Sequence, residues 1–125
     1  MIRVLALNHV SLLVRDTTRA LEFYHGLLGL PVDDSRPDLG FPGAFLDAGN
    51  AQIHLLELAP PAAQEANLKH GGRDWHVALE VVNLEAVIAG LERTGITYTL
   101  SRSGRRALFC RDPDGNAVEL VERVS

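Results

Sequence analysis

The sequence predicts an α+β fold in which one βαβββ plan occurs twice. Three observations carry this reading. Each half contains a strand-like segment bearing a histidine, Asn8-His9-Val10-Ser11-Leu12-Leu13-Val14 and Trp75-His76-Val77-Ala78-Leu79-Glu80-Val81. A helix-capping residue follows each histidine by seven positions, Asp16 in the first half and Asn83 in the second. Both halves then close on a hairpin with Gly-Asn-Ala at its turn, at Gly49 and at Gly115.

The elements follow in order. The opening segments are rich in leucine and β-branched residues and read as strands. Asx side chains accept hydrogen bonds from the first free N–H groups of a helix, so Asp16 and Asn83 mark helix starts. Ala20, Phe23, Tyr24 and Leu27 form one helical face, as do Leu84, Val87, Ile88 and Leu91. Glycines suited to a left-handed C-cap end the helices: Gly29, twenty residues after His9, and Gly95, nineteen after His76. Short extended stretches follow, Leu30 to Asp34 and Ile96 to Ser101. The hairpins then run from Phe45 to Leu55 and from Phe109 to Leu120. Allowing small insertions in the turns, His54 corresponds to Glu119, since His9 and His76 lie 67 positions apart and His54 and Glu119 lie 65 apart. The expected organisation is one domain, 1–125, with a first module to about residue 58, a Pro- and Gly-containing linker at about 59–73 and a second module from about 74.

Composition narrows the class of function. The chain has 125 residues, 46% of them apolar and 22% charged, enough to bury a core and too ordered in pattern for disorder. A net charge of −4 gives no basic footprint for nucleic acid, which leaves a small molecule as the expected partner. No apolar stretch of roughly 18 residues offers a membrane span. The first residues read as a strand and not as a signal peptide. Cys110 is the single cysteine, so no internal disulfide forms, and a reducing, cytoplasmic location is expected. There is no phosphate loop, no GxGxxG after a strand and no GxSxG, so nucleotide cofactors and serine hydrolase chemistry are not expected.

Strand parity locates the chemistry. Side chains alternate faces, so His9, Ser11 and Leu13 share one face while Val10, Leu12 and Val14 take the apolar face that packs on the helix. The same parity groups His76, Ala78 and Glu80. On the last strands His54 and Glu119 point away from the helices, and Glu57 takes the opposite face from His54. Imidazoles and a carboxylate converging in a sheet-lined cleft suit a divalent transition metal, Zn, Ni, Co, Mn or Fe, better than magnesium or calcium, which prefer oxygen donors.

With these residues in view, the chain resembles the vicinal oxygen chelate superfamily. That group holds glyoxalase I, fosfomycin-modifying thiol transferases, extradiol dioxygenases and bleomycin-resistance proteins. The resemblance rests on Asn8-His9-Val10-Ser11, Phe23-Tyr24 with Leu28-Gly29-Leu30, His76-Val77-Ala78-Leu79 and the closing Phe109-Cys110-Arg111-Asp112-Pro113-Asp114-Gly115-Asn116-Ala117-Val118-Glu119-Leu120. It implies two βαβββ modules forming an open, U-shaped mixed-sheet barrel around one metal, in a homodimer whose site can draw ligands from both subunits. The family's ligands carry over onto His9, His76 and Glu119. Where glyoxalase I has a further glutamate ligand, this chain has His54, which is expected as a fourth ligand or a second base. Glu57 could replace the missing carboxylate only if a bulge shifts its strand by one residue.

The resemblance implies that paired substrate oxygens bind the metal and that Glu119 ligates it and shuttles a proton. A glyoxalase-like isomerisation of a thiol–aldehyde adduct is the first expectation. Thiol transfer of the fosfomycin-resistance type and Fe(II) dioxygenase chemistry are alternatives. A metal-free drug-sequestering protein is the alternative of another class. Arg73, Arg102 and Arg106, with Arg105 beside them, are candidates to hold an anionic tail, although a solvated turn explains the same loop. Phe109 is a candidate pocket residue or an ordinary core residue. Asp112-Pro113-Asp114-Gly115 reads as turn chemistry. Cys110 reads as buried and unreactive, and His25 and His70 as non-ligands.

Overall fold

The computed structural model describes residues 1–59 and 70–123. The chain divides into two compact units, Met1–Ala59 and Pro60–Ser125. In the first, the elements are strand β1 (His9–Val14), helix α1 (Thr17–Leu21) running into a π-helical segment (Glu22–Leu27), then β2 (Val32–Asp33), β3 (Gly43–Ala48) and β4 (Ala51–Glu57). In the second they are β5 (His76–Val81), α2 (Leu84–Arg93), β6 (Tyr98–Leu100), β7 (Ala107–Arg111) and β8 (Ala117–Glu122), preceded by a 3₁₀ turn at Gly71–Arg73. Each unit is therefore βαβββ.

The sheets have matching topology, β1-β4-β3-β2 and β5-β8-β7-β6. In each, the first strand runs parallel to the last and the remaining pairs are antiparallel. The register bears out the equivalence read from the offsets. Ser11, two residues after His9, faces His54, and Ala78, two residues after His76, faces Glu119. Across the hairpins Phe45 faces His54 and Phe109 faces Glu119.

The caps form as expected. Asp16 Oδ1 accepts from Arg19 N and Asn83 Oδ1 from Ala86 N, both at 3.2 Å. Gly29 and Gly95 end the helical segments at φ of 76° and 73°, conformations that cost a residue with a Cβ. A second device was not foreseen. Glu57 Oε1 accepts from Thr17 N at 2.7 Å, and Glu122 Oε1 accepts from Leu84 N at 3.0 Å. Each last strand thus ends in a glutamate that satisfies the first free N–H of its own unit's helix.

One helix departs from expectation. The periodicity predicts a single α-helix from Asp16 to Gly29, but after Leu21 the backbone widens, with Leu28 N bonding to Phe23 O at 3.0 Å. In the second unit Ile96 N closes the helix on Leu91 O at 2.9 Å, whereas in the first Leu30 N reaches Tyr24 O at 3.0 Å, one residue further back. The widening absorbs the extra residue between His9 and Gly29 while leaving cap and glycine in place.

The cores match the predicted faces. Val14, Ala20, Phe23, Tyr24, Leu46, Ile53 and Leu55 are buried in the first unit, and Leu84, Leu91, Leu108, Val118 and Leu120 in the second. Pro60-Pro61 of the expected linker lies outside the described residues. Gly71-Gly72, expected as linker too, instead forms a turn packed on the second sheet. A Cβ on Gly71 would sit 3.1 Å from Ala117 Cβ, and one on Gly72 would sit 3.0 Å from Phe109 Cζ. These glycines serve close approach.

Candidate functional site

The two units each bring two of the expected residues together. In the second, His76 opens β5 and Glu119 sits in mid β8, one register step further along the same face. His76 Nδ1 lies 2.9 Å from the carbonyl oxygen of Asp74. A carbonyl only accepts, so Nδ1 carries a proton and Nε2 is the nitrogen turned toward Glu119. Nε2 lies 3.3 Å from Glu119 Oε1.

Glu119 is 3% exposed, and its other oxygen, Oε2, accepts from Arg105 Nη2 at 3.2 Å. Phe109, buried opposite Glu119, sets its ring edge-on to His76 at 5.2 Å and to His70 at 4.9 Å. His70 also lies 3.1 Å from Thr99 Oγ1, so it supports Phe109 and is not itself in the pair. Phe109 thus belongs to the core and packs against His76.

In the first unit, His9 Nδ1 lies 2.7 Å from Asn8 Oδ1, which leaves Nε2 as its basic nitrogen. His54 is stacked between two rings, Phe45 at 3.6 Å and 9° and His9 at 3.9 Å and 16°. Its Nε2 meets Gln52 Oε1 at 2.9 Å. Burial is the main cause that lowers the pKa of His54, with the nearby His9 and Arg36 acting in the same direction. The neutral ring is favoured.

The donors fit a divalent metal in pairs. His76 Nε2 and Glu119 Oε1 stand 3.3 Å apart, an arrangement that a shared proton or a metal cation between them suits. Two donors bonded at roughly 2.0–2.2 Å to one ion lie about 3–3.5 Å apart. The carbonyl partner on Nδ1 is also what orients a ligating imidazole. Among the described residues, no three histidine, cysteine or carboxylate side chains converge.

The candidate arginines are engaged differently. Arg106 is held by two carboxylates: its Nε donates to Glu122, and its Nη2 donates to Glu85. Those partners raise its pKa further, and the carboxylates hold it at the N-terminal end of α2, away from Glu119. Arg102 and Arg73 are exposed, and no hydrogen bond or ion pair joins either to His76 or Glu119 among the described residues. The arginine on the pair is Arg105, which parity could not select because loop 101–106 has no strand period. Glu57 stays on the face opposite His54: β4 pairs without a bulge on either side, and its carboxylate is engaged at Thr17.

Elsewhere the reading of the residues holds. Asp112 Oδ1 accepts from Asp114 N and Asn116 N, both at 2.9 Å, so it organises the turn. Cys110 is buried, and burial first and Asp112 second push its thiol up to about 12. His25 Nδ1 donates to Leu30 O at 2.8 Å and closes the first helix. A cavity of about 190 Å³ lies in the second unit, lined by Gly71, Ile96, Tyr98, Thr99, Phe109 and Arg111. It is small beside ordinary ligand pockets of roughly 300–1,000 Å³, and neither His76 nor Glu119 lines it.

A family model described as Glyoxalase/Bleomycin resistance protein/Dioxygenase superfamily matches residues 6–120. The chain is 33% identical over 122 residues to Glyoxylase I 4 of Arabidopsis thaliana, covering 92% of this chain and 69% of that protein. It is 32% identical over 127 residues to the mitochondrial methylmalonyl-CoA epimerase of Homo sapiens, covering 93% and 71%. It is 31% identical to the glutathione transferase FosA of Serratia marcescens, covering 92% and 79%. Among solved structures, a protein from Bacillus anthracis described as of the glyoxalase family matches with a TM-score of 0.80 at 19% identity, covering 99% of each chain. TnmS3, an antibiotic binding protein from Streptomyces sp. CB03234, matches with a TM-score of 0.75 at 17% identity, covering 99% of this chain and 100% of that one. At these identities the structural matches speak for the fold alone.

Proposed function

The chain belongs to the Glyoxalase/Bleomycin resistance protein/Dioxygenase superfamily, and from that premise we propose that it is a divalent-metal-dependent enzyme acting on a small molecule through two neighbouring oxygens, a glyoxalase I-like isomerisation of a thiol–aldehyde adduct being the favoured reaction. The observation that supports this most is the His76–Glu119 pair, an imidazole nitrogen oriented by the Asp74 carbonyl and lying 3.3 Å from a buried carboxylate oxygen.

The proposed donors are His76 Nε2 and Glu119 Oε1 in the second unit, and in the first unit the family resemblance implies His9 as a ligand. Asn8 engages Nδ1 of His9, and the Asp74 carbonyl engages Nδ1 of His76, so Nε2 is the atom each ring would offer to an ion. The chemistry a bound Zn, Ni, Co, Mn or Fe ion supplies is Lewis-acid stabilisation of negative charge on paired substrate oxygens. Glu119 is the group that takes up and returns a proton, with Arg105 holding Oε2 in place. Phe109 packs its ring against His76 at 5.2 Å. Arg105, 61% exposed on its side chain, is the residue placed to meet an anionic portion of the substrate. A homodimer and a thiol co-substrate belong to the same proposal.

Elemental analysis of protein purified without chelators tests it. The expected result is about one transition-metal ion per subunit, lost in His76→Ala and Glu119→Ala. Turnover of the adduct of a 2-oxoaldehyde with a thiol then completes the case. Absence of metal uptake, even on adding each ion back, overturns the metal-enzyme reading and leaves a binding protein.

A further inference from the structure

Resting on the metal reading above, we propose that His54 is a positioning residue and not a ligand: a ring, oriented through Gln52 by Asp33 and Asp47, on which His9 is stacked.

The chain of reasoning begins at the carboxylates. Gln52 Nε2 donates to Asp33 Oδ2 at 2.8 Å and to Asp47 Oδ1 at 2.9 Å. Both partners are carboxylate oxygens that only accept, so the amide nitrogen must face them and Oε1 must face the other way. Asp33 is itself fixed, its Oδ1 accepting from Ser35 N at 2.9 Å and Ser35 Oγ at 2.7 Å. Gln52 Oε1 then stands 2.9 Å from His54 Nε2 and can only accept from it. The proton of His54 is thereby assigned to Nε2, the opposite tautomer to His9, whose Nδ1 faces Asn8 Oδ1.

The stack supplies the second half. The rings of His9 and His54 lie 3.9 Å apart and 16° from parallel. A ring nitrogen's lone pair lies in the ring plane. For both rings to reach one ion at roughly 2.1 Å, each bond would have to leave its plane by more than about 45°. One ring can serve as ligand, the other as platform. Phe45, at 3.6 Å on the second face of His54, clamps the platform from below. In the second unit the residue facing Phe109 is Glu119, whose oxygen lies 3.3 Å from His76 Nε2; the first unit puts a flat ring at the equivalent position instead.

The test uses the whole protein and two readouts. His54→Phe keeps the ring and removes both nitrogens; His54→Ala removes the ring; His9→Ala removes the proposed ligand. In cobalt(II) titrations followed by absorption, His54→Phe is expected to bind within about threefold of the wild type, while His54→Ala weakens by roughly tenfold or more, the range for lost outer-shell support. A loss in His54→Phe as deep as that in His9→Ala overturns the proposal. Wild-type protein that takes up no cobalt(II) defeats the metal reading instead, and the second readout still decides the platform. Long-range ¹H–¹⁵N correlation spectra of metal-free protein are expected to show the His54 proton on Nε2, moving to a tautomer mixture in Gln52→Leu. Upfield His9 ring protons should persist in His54→Phe and vanish in His54→Ala. A proton on Nδ1 of wild-type His54, or His9 shifts indifferent to His54→Ala, overturns it.

Discussion

Glu57 Oε1 accepts the backbone N–H of Thr17 at 2.7 Å, joining the last strand of the first unit to the start of its helix across forty positions of sequence. The carboxylate that might have replaced a missing ligand is therefore engaged in holding the helix to the sheet. Glu57→Ala is expected to lower stability by about 1 kcal/mol, the usual cost of losing a helix N-terminal partner, with metal content unchanged. Denaturant unfolding and elemental analysis on the same sample check both halves. Loss of metal with no loss of stability would reverse the assignment.

Neighbouring arginines divide between function and stability. Arg105→Ala removes the donor on Glu119 Oε2 and is expected to cost roughly tenfold or more in kcat/KM, with Tm nearly unchanged. Arg106→Ala separates Glu122 and Glu85 from their common cation and is expected to lower Tm while leaving kcat/KM within about twofold. Steady-state kinetics and thermal melts of the two variants should give opposite patterns.

The same cluster gives a pH signature. Arg106 first, and the Leu84 N–H second, hold the Glu122 carboxyl below its ordinary value of 4.5. A depressed folded-state pKa means that the stabilisation is present above the unfolded value and is lost as pH falls through the folded one. The Tm gap between wild type and Glu122→Gln is therefore expected to be full at neutral pH and to close progressively below about pH 4.5. A gap that persists at pH 3 would place the effect in packing.

Cys110 should behave as a packing atom. Its thiol is buried and pushed up to about 12, so the thiolate is scarce at any ordinary pH. Alkylating reagents at pH 8 are expected to leave it unmodified in the folded protein and to label it fully in guanidinium, as mass spectrometry would show. Rapid native labelling would mean that the β6–β7 edge opens.

Much of this arrangement was legible because it repeats. Caps at Asp16 and Asn83, glycines at 29 and 95, and the equivalence of His54 with Glu119 all follow from offsets within one sequence, and the register reproduces them. What escaped was long-range or aperiodic. Glu57 and Glu122 meet helix starts roughly forty residues away, and no local pattern announces that. Arg105 and Arg106 are adjacent in a loop, where alternation gives no rule for which one turns toward Glu119. The Gly71-Gly72 turn looked like a linker because its need for glycine comes from Phe109, a neighbour far along the chain.

The residue facing the phenylalanine on the last strand of each unit, His54 opposite Phe45 and Glu119 opposite Phe109, is framed by the same register and held by unrelated side-chain partners. One repeated plan of strands thus presents two addressable positions on the same kind of backbone, an imidazole at one and a carboxylate at the other.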